Sequence, residues 1–229
     1  MKKSYARFYF FFLILLPIFI LTATVVYAAT WDVQNDFSGT SNPAGAWSYG
    51  WESAPGQAFT LYNAPIIGWE GSTVWHDSNI TAWDNTPGVW KNIGQDPTNN
   101  VQPGEVSLHP GQPAGQYSVV RWTSPVAGTI SIAGKFGAGD SGMMSYYIYD
   151  GTTSLLKVQN SYADAPFSFT ESVSIGSTID FLIGESYWYG NTPLYATISN
   201  SASVPEPSAM LLLGLGLMGL AGVRNRFSN

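Results

Sequence analysis

The chain of 229 residues contains no cysteine. That single absence excludes disulfide frameworks, thiolate zinc sites, iron–sulfur clusters and cysteine nucleophiles. Histidine is almost as scarce, since His76 and His109 are the only two and cannot supply an imidazole zinc site. Charge is the third deficit: Asp, Glu, Lys and Arg make up 10% of the residues, against roughly 25% in an ordinary soluble domain. No capped, 3.6-periodic helix is found between residues 29 and 203, and no Gly-x-Ser-x-Gly elbow is present. What remains is 45% hydrophobic and 15% aromatic, with 24 Gly and 14 Pro. This composition excludes a disordered polyelectrolyte and favours a turn-dense, β-rich globule.

The two ends must be set aside before the fold is read. Lys2, Lys3 and Arg7 precede an uncharged run from Phe8 to Ala29, the pattern of a secretory signal peptide covering residues 1–28, with an uncleaved signal-anchor helix as the alternative. Cleavage after Ala28 puts Val26 and Ala28 at the two positions that must be small or aliphatic. At the other end Pro205, Glu206 and Pro207 precede an uncharged Leu- and Gly-rich stretch, Ala209 to Val223, and then Arg224 and Arg226. As a helix, Ser208 to Val223 would reach about 24 Å against a hydrocarbon core of about 30 Å, a marginal span that suits a transient anchor. Lysines and arginines at both extremes would stay cytoplasmic, placing the intervening part outside. This tripartite tail, residues 204–229, resembles the PEP-CTERM sorting signal. The resemblance implies a membrane-helix intermediate, recognition of Pro205-Glu206-Pro207 by an exosortase-type processing enzyme, a basic end at 224–229, and release to the cell surface or an extracellular matrix in a Gram-negative bacterium.

Between the ends, residues 29–203 carry Lys91, Arg121, Lys135 and Lys157 against fourteen carboxylates, a net charge of −10. Such a field excludes a phosphate-neutralising basic face, so nucleic acid is not expected as a partner, and anionic lipid heads are disfavoured. A neutral polysaccharide or divalent cations are compatible with it.

Alternation of apolar and polar residues marks strands at Gln116 to Thr123 and Gly128 to Phe136. Further candidates are Gln57 to Tyr62, Glu105 to His109, Met143 to Tyr149, Leu155 to Gln159, Phe167 to Val173, Thr178 to Ile183 and Leu194 to Ser199. Seven to ten short strands predict an all-β fold, a two-sheet antiparallel sandwich of jelly-roll type, with Val120, Trp122, Ile130, Ile132, Ile148, Phe181 and Ile198 buried. Seven of the nine tryptophans precede residue 91, in a half rich in Gly, Asn and Pro that reads as loops over a carboxy-terminal scaffold. Within it, Asn42, Pro43, Gly45, Trp47, Tyr49 and Gly50 form an Asn-Pro-x-Gly-x-Trp-x-Tyr-Gly motif. It resembles the opening of a jelly-roll module recurrent among PEP-CTERM cargo, and the similarity continues through Pro87 to Asn92, His109-Pro110-Gly111, Val120-Arg121-Trp122 and Asp180. That resemblance implies a galactose-binding-like sandwich without a settled activity.

No reaction is marked in the sequence. A triad would need a histidine beside a serine and a carboxylate in space, and no pair among the carboxylates is singled out for glycoside hydrolysis. Asp32, Asp36 and Asp140 are weak candidates for a structural calcium, none in the spacing of a known calcium loop. Aromatic rings are the more informative feature. Trp51, Trp69, Trp75 and Trp83 are candidate stacking residues for sugar rings, with Arg121 as a hydrogen-bond donor to hydroxyls, while Trp47 and Trp122 suit the core. The sequence therefore predicts an exported, non-catalytic surface or matrix protein that binds polysaccharide. The alternatives are a purely structural or adhesive surface protein and a secreted glycan-active hydrolase.

Overall fold

The computed structural model describes residues 28–68, 71–80, 85–200, 212–214 and 216–217. Its elements run β1 (Thr30–Asp32), α1 (Val33–Asp36), β2 (Trp47–Glu52), β3 (Thr60–Leu61), β4 (Ala64–Ile67), β5 (Thr73–His76), β6 (Gly88–Lys91) and β7 (Val106–His109). Then follow β8 (Tyr117–Thr123), β9 (Gly128–Phe136), β10 (Met144–Asp150), β11 (Thr153–Ser161), β12 (Ala165–Val173), β13 (Thr178–Gly184) and β14 (Thr192–Asn200). One sheet is ordered β12-β9-β14-β7-β6-β5-β4 with β1 also on β14, and the other β11-β10-β13-β8-β2-β3. Every pairing is antiparallel, so the fold is the two-sheet sandwich that the alternation predicts.

The core lies between the sheets because the apolar phases face inward there. Val120, Trp122, Ile130, Ile132, Ile148, Phe181 and Ile198 are all fully buried, and Phe136 stacks on Tyr146 at 5.1 Å. On β9, Ile130 and Ile132 point in while Thr129 and Ser131 are exposed. The carboxy-terminal strands thus follow the sequence pattern closely.

The amino-terminal half departs from the loop-rich expectation, because it supplies β1, β4, β5, β6 and β7 to the larger sheet and β2 and β3 to the smaller. These strands are short, and β6 is buried along most of its length, so it shows no two-residue alternation, while β7 falls at the expected Glu105 to His109. The reason is tertiary. Val101, in the connection between β6 and β7, packs with Val74 and Trp90 in a separate small apolar cluster.

The Asn-Pro-x-Gly-x-Trp-x-Tyr-Gly motif proves to be a brace for β2. The Asn42 amide donates to the carbonyls of Tyr49 and Tyr62 and its oxygen accepts the Tyr49 N–H. Gly45 takes φ +59, and a Cβ on Gly50 would meet the Phe59 ring at 2.5 Å. The backbones of Ala29 and Asn200 hydrogen-bond across the end of the sandwich, closing a compact unit, Tyr27–Ala202. Of the tail, residues 212–214 and 216–217 are helical. No helix among the described residues is long and apolar enough to cross a membrane.

Candidate functional site

Among the described residues, those singled out in the sequence do not form one surface. Trp69 and Trp83 lie outside the described residues, as do the signal segment through residue 27, Pro205, Glu206, Pro207, Arg224 and Arg226. Trp75 is buried in the core, its indole N–H on the Ser38 carbonyl at 2.7 Å. Trp51 is half-buried and donates to Asp77 Oδ2 at 3.0 Å. Trp51 pairs with Ser118 across β2 and β8, and Arg121 is an odd number of residues further on, so the two side chains leave opposite faces of the sheet.

The acidic candidates have structural partners. Asp32 caps α1 by accepting the Gln34 and Asn35 N–H groups, and Asp36 accepts the Trp47 indole N–H. The Asp140 carboxylate accepts the Asn191 amide at 3.2 Å. Among the described residues no group of three or more His, Asp or Glu side chains could hold a metal ion.

Arg121 is taken up by carboxylates rather than offered to a ligand. Its Nε and Nη2 donate to the two Asp180 oxygens at 2.6 and 2.7 Å, Nη2 reaches Glu52 at 3.3 Å, and the guanidinium lies 4.2 Å from the Phe59 ring centroid. Two buried carboxylates therefore share one cation. Burial, and then the Asp180 charge, push Glu52 from 4.5 up to about 7, against the opposing pull of Arg121 and the Gly56 N–H. Burial also raises Asp180. Because the folded state holds the Glu52 proton more tightly than the unfolded chain, this stabilisation is complete at low pH and is lost as pH rises through about 7. Glu52→Gln should therefore stabilise the protein by roughly 2 kcal/mol near pH 8 and by little near pH 5. Urea unfolding at the two pH values measures the difference, and a gain larger at pH 5 would reverse this reading.

A larger cavity, about 610 Å³, lies beside Trp31, Asp36 and buried Trp47, but the concave surface with exposed aromatic rings lies at the pole where β9, β13 and β7 end. Glu185 to Asn191, between β13 and β14, holds Tyr187, Trp188 and Tyr189 in succession. Tyr187 is buried edge-on between His109 (5.3 Å) and Trp188 (5.3 Å). Trp188 and Tyr189 are 62% and 64% exposed, which for rings of this size is a surface kept against the hydrophobic effect. Glu185 and Tyr189 hold φ of 68° and 58°, a left-handed conformation rare for side chains of this size and frequent at ligand-binding loops.

Neighbouring loops enforce that shape. Gly142 N–H donates to the Tyr189 carbonyl at 3.2 Å and Asp140 N–H to the Asn191 carbonyl at 3.0 Å. A Cβ on Gly139 would run into the Asn191 carbonyl oxygen, so only glycine allows this approach. Buried Asn191 is oriented by accepting the Trp90 indole N–H at 2.9 Å, and the Asn100 amide donates to the Gly139 carbonyl.

Two cavities flank Tyr187. One, about 250 Å³, is lined by Asn99, His109, Asp140, the three aromatics and Asn191. The other, about 150 Å³, lies between Gly111–Gln116 and Glu185–Tyr187. Both are below the roughly 300–1,000 Å³ of sites that enclose a drug-sized molecule, and they suit single rings of a chain lying across the surface. Sequence reading missed this place because Tyr187-Trp188-Tyr189 follows no strand period. Its one legible signal is three consecutive aromatics between Gly184 and Gly190.

No curated protein matches the chain in sequence. Among solved structures it is distantly similar to the CBM51 from Clostridium perfringens GH95 in complex with methyl-galactose, at 9% identity and TM-score 0.33, covering 75% of this chain and 100% of that one. It is similar to the CBM36-1 domain of a multidomain xylanase from the hindgut metagenome of Trinervitermes trinervoides, at 13% identity and TM-score 0.32, covering 47% and 84%. A family 35 carbohydrate binding module from Clostridium thermocellum is similar at 12% identity and TM-score 0.26, covering 40% and 82%. Residues 203–226 match the PEP-CTERM protein-sorting motif, and the chain is accordingly an exported protein carrying that sorting motif behind a β-sandwich.

Proposed function

We propose that the sandwich is a non-catalytic polysaccharide-binding domain whose site is the pole formed by Trp188, Tyr189 and the two cavities beside Tyr187. The sorting tail delivers it, through exosortase-type processing at Pro205 to Pro207, to the cell surface or extracellular matrix. The observation that carries this reading is the pair of exposed rings rimmed by Asn99, His109, Asp140 and Asn191. A sugar offers C–H faces that lie on aromatic rings and hydroxyls that need a few fixed polar groups, and this surface supplies both. The net charge of −10 over residues 29–203 argues for a glycan without acidic groups.

The position of the site suits an exported binding protein. β14 begins beside the aromatic loop at Thr192 and ends at Asn200, so the site and the departure point of the chain towards its tail are roughly 30 Å apart along the sandwich. Titrating the Tyr27–Ala202 unit with soluble non-acidic polysaccharides should change its tryptophan fluorescence at saturable concentrations, through Trp188. An unchanged spectrum together with unretarded migration in polysaccharide-containing gels would favour the structural-protein reading.

A further inference from the structure

We propose that this pole selects glycans bearing free, protonated amino groups, a polymer of de-acetylated hexosamine, over neutral and acidic ones. The inference rests on the polysaccharide-binding reading and names its ligand class. Its basis is the polar inventory of the two cavities. Neither is lined by a lysine or arginine, while each presents one carboxylate, Glu185 on one side of Tyr187 and Asp140 on the other. The cations of the sandwich are committed elsewhere: Arg121 to Asp180 and Glu52, Lys135 to Asp164, and Lys91 to the Gln34 carbonyl. Lys157, on β11 of the sheet that also carries β13, lies 5.9 Å from the Tyr147 ring centroid and lines neither cavity.

Glu185 is held as a fixed anion. Ser145 Oγ donates to one of its oxygens at 2.6 Å, Gln159 Nε2 approaches the same oxygen at 3.4 Å and Tyr117 Oη the other at 3.4 Å. These hydroxyl donors, Ser145 foremost, keep its carboxyl below the usual range, yet the residue stays exposed. Beyond the rim, the faces of Trp188 and Tyr189 attract a cation as well as a C–H face. Each cavity thus offers an amine a carboxylate, with the π-faces of Trp188 and Tyr189 on the Asp140 side, whereas a uronate would meet a like charge in both.

The test compares three oligosaccharides of equal length, a glucosamine oligomer, its N-acetylated counterpart and a glucose oligomer, by calorimetry on the Tyr27–Ala202 unit at mildly acidic pH, where the hexosamine amines are protonated. The free-amine oligomer should bind about tenfold tighter than either neutral one, the scale of one hydrogen bond to a charged group. Glu185→Gln and Asp140→Asn should each erode that preference, and 0.5 M salt should weaken it. If the neutral oligomers bind as tightly as the amine, the inference fails and the polysaccharide reading stands. If no oligomer or polysaccharide binds, both fail. If Trp188→Ala, which leaves the charge unchanged, keeps the full preference for the amine, the attraction is a diffuse effect of net charge and the assignment to this pole is overturned.

Discussion

Arg121→Ala should lower the thermal unfolding midpoint by about 10 °C at neutral pH, from a loss of roughly 3–5 kcal/mol spread over a domain that shifts about 2–4 °C per kcal/mol. The size follows from what would be left behind. Asp180 and Glu52 are 1% and 0% exposed, and without the guanidinium each would have to remain an anion out of water with no counter-ion or take up a proton. The pairing is cross-strand, Arg121 facing Asp180 between β8 and β13, so the damage falls at the middle of the smaller sheet rather than at its edge. Glu52 also accepts the Gly56 N–H at 3.0 Å, which ties the β2–β3 connection over this face. Arg121→Lys should recover only part of the loss, because an ammonium cannot reproduce the two-pronged contact to Asp180. Acidification should shrink the defect as the orphaned carboxyls take up protons. Differential scanning calorimetry near pH 7 and pH 5 measures both effects. A shift under about 2 °C at pH 7 would mean that water reaches these carboxylates and that they need no partner.

The second large effect concerns binding. Replacing Trp188 and Tyr189 together by alanine should weaken polysaccharide affinity at least about thirtyfold, since base- or sugar-sized stacking on exposed rings is worth about 1–3 kcal/mol for each ring. Stability should hardly change, because both rings project outward and the anchor of the loop is Tyr187, buried against His109. A companion change on the other side of the same contact, Gly139→Ala, should weaken binding with both rings present, because its Cβ would push the Asn191 backbone away and release the Glu185–Asn191 loop. Affinity gel electrophoresis and circular dichroism on the same preparations separate the two quantities. Retained affinity in the double variant with an intact fold would move the site elsewhere on the sandwich.

Much of the fold was legible because period-two alternation is a local property. Gly128 to Phe136 showed its inward isoleucines in the sequence, and those residues are buried on β9. Legibility failed for β6, whose outer side is not left to solvent, so its residues carry no polar phase. It failed again for the tryptophans, since one residue type serves equally as core, hydrogen-bond donor or platform. Trp75 meets the Ser38 carbonyl across a separation that composition does not encode. Arg121 misled for the same reason. Its partner Asp180 is 59 positions away, and until the strands are in register a lone arginine beside aromatics reads as a binding residue.

By itself the sequence determined the sorting tail at residues 203–226, the all-β class and the inward phase of the long strands, all of which are written in contiguous residues. Tertiary structure alone decided the make-up of the proposed pole. The pole is assembled from residues near 99, 109, 111–116, 140 and 185–191, brought together by sheet pairing over long sequence separations. Exposure of Trp188 and burial of Trp75 are properties of that assembly, because an aromatic side chain goes to the core wherever packing offers it one and stays in water only where the backbone on either side is held away from it.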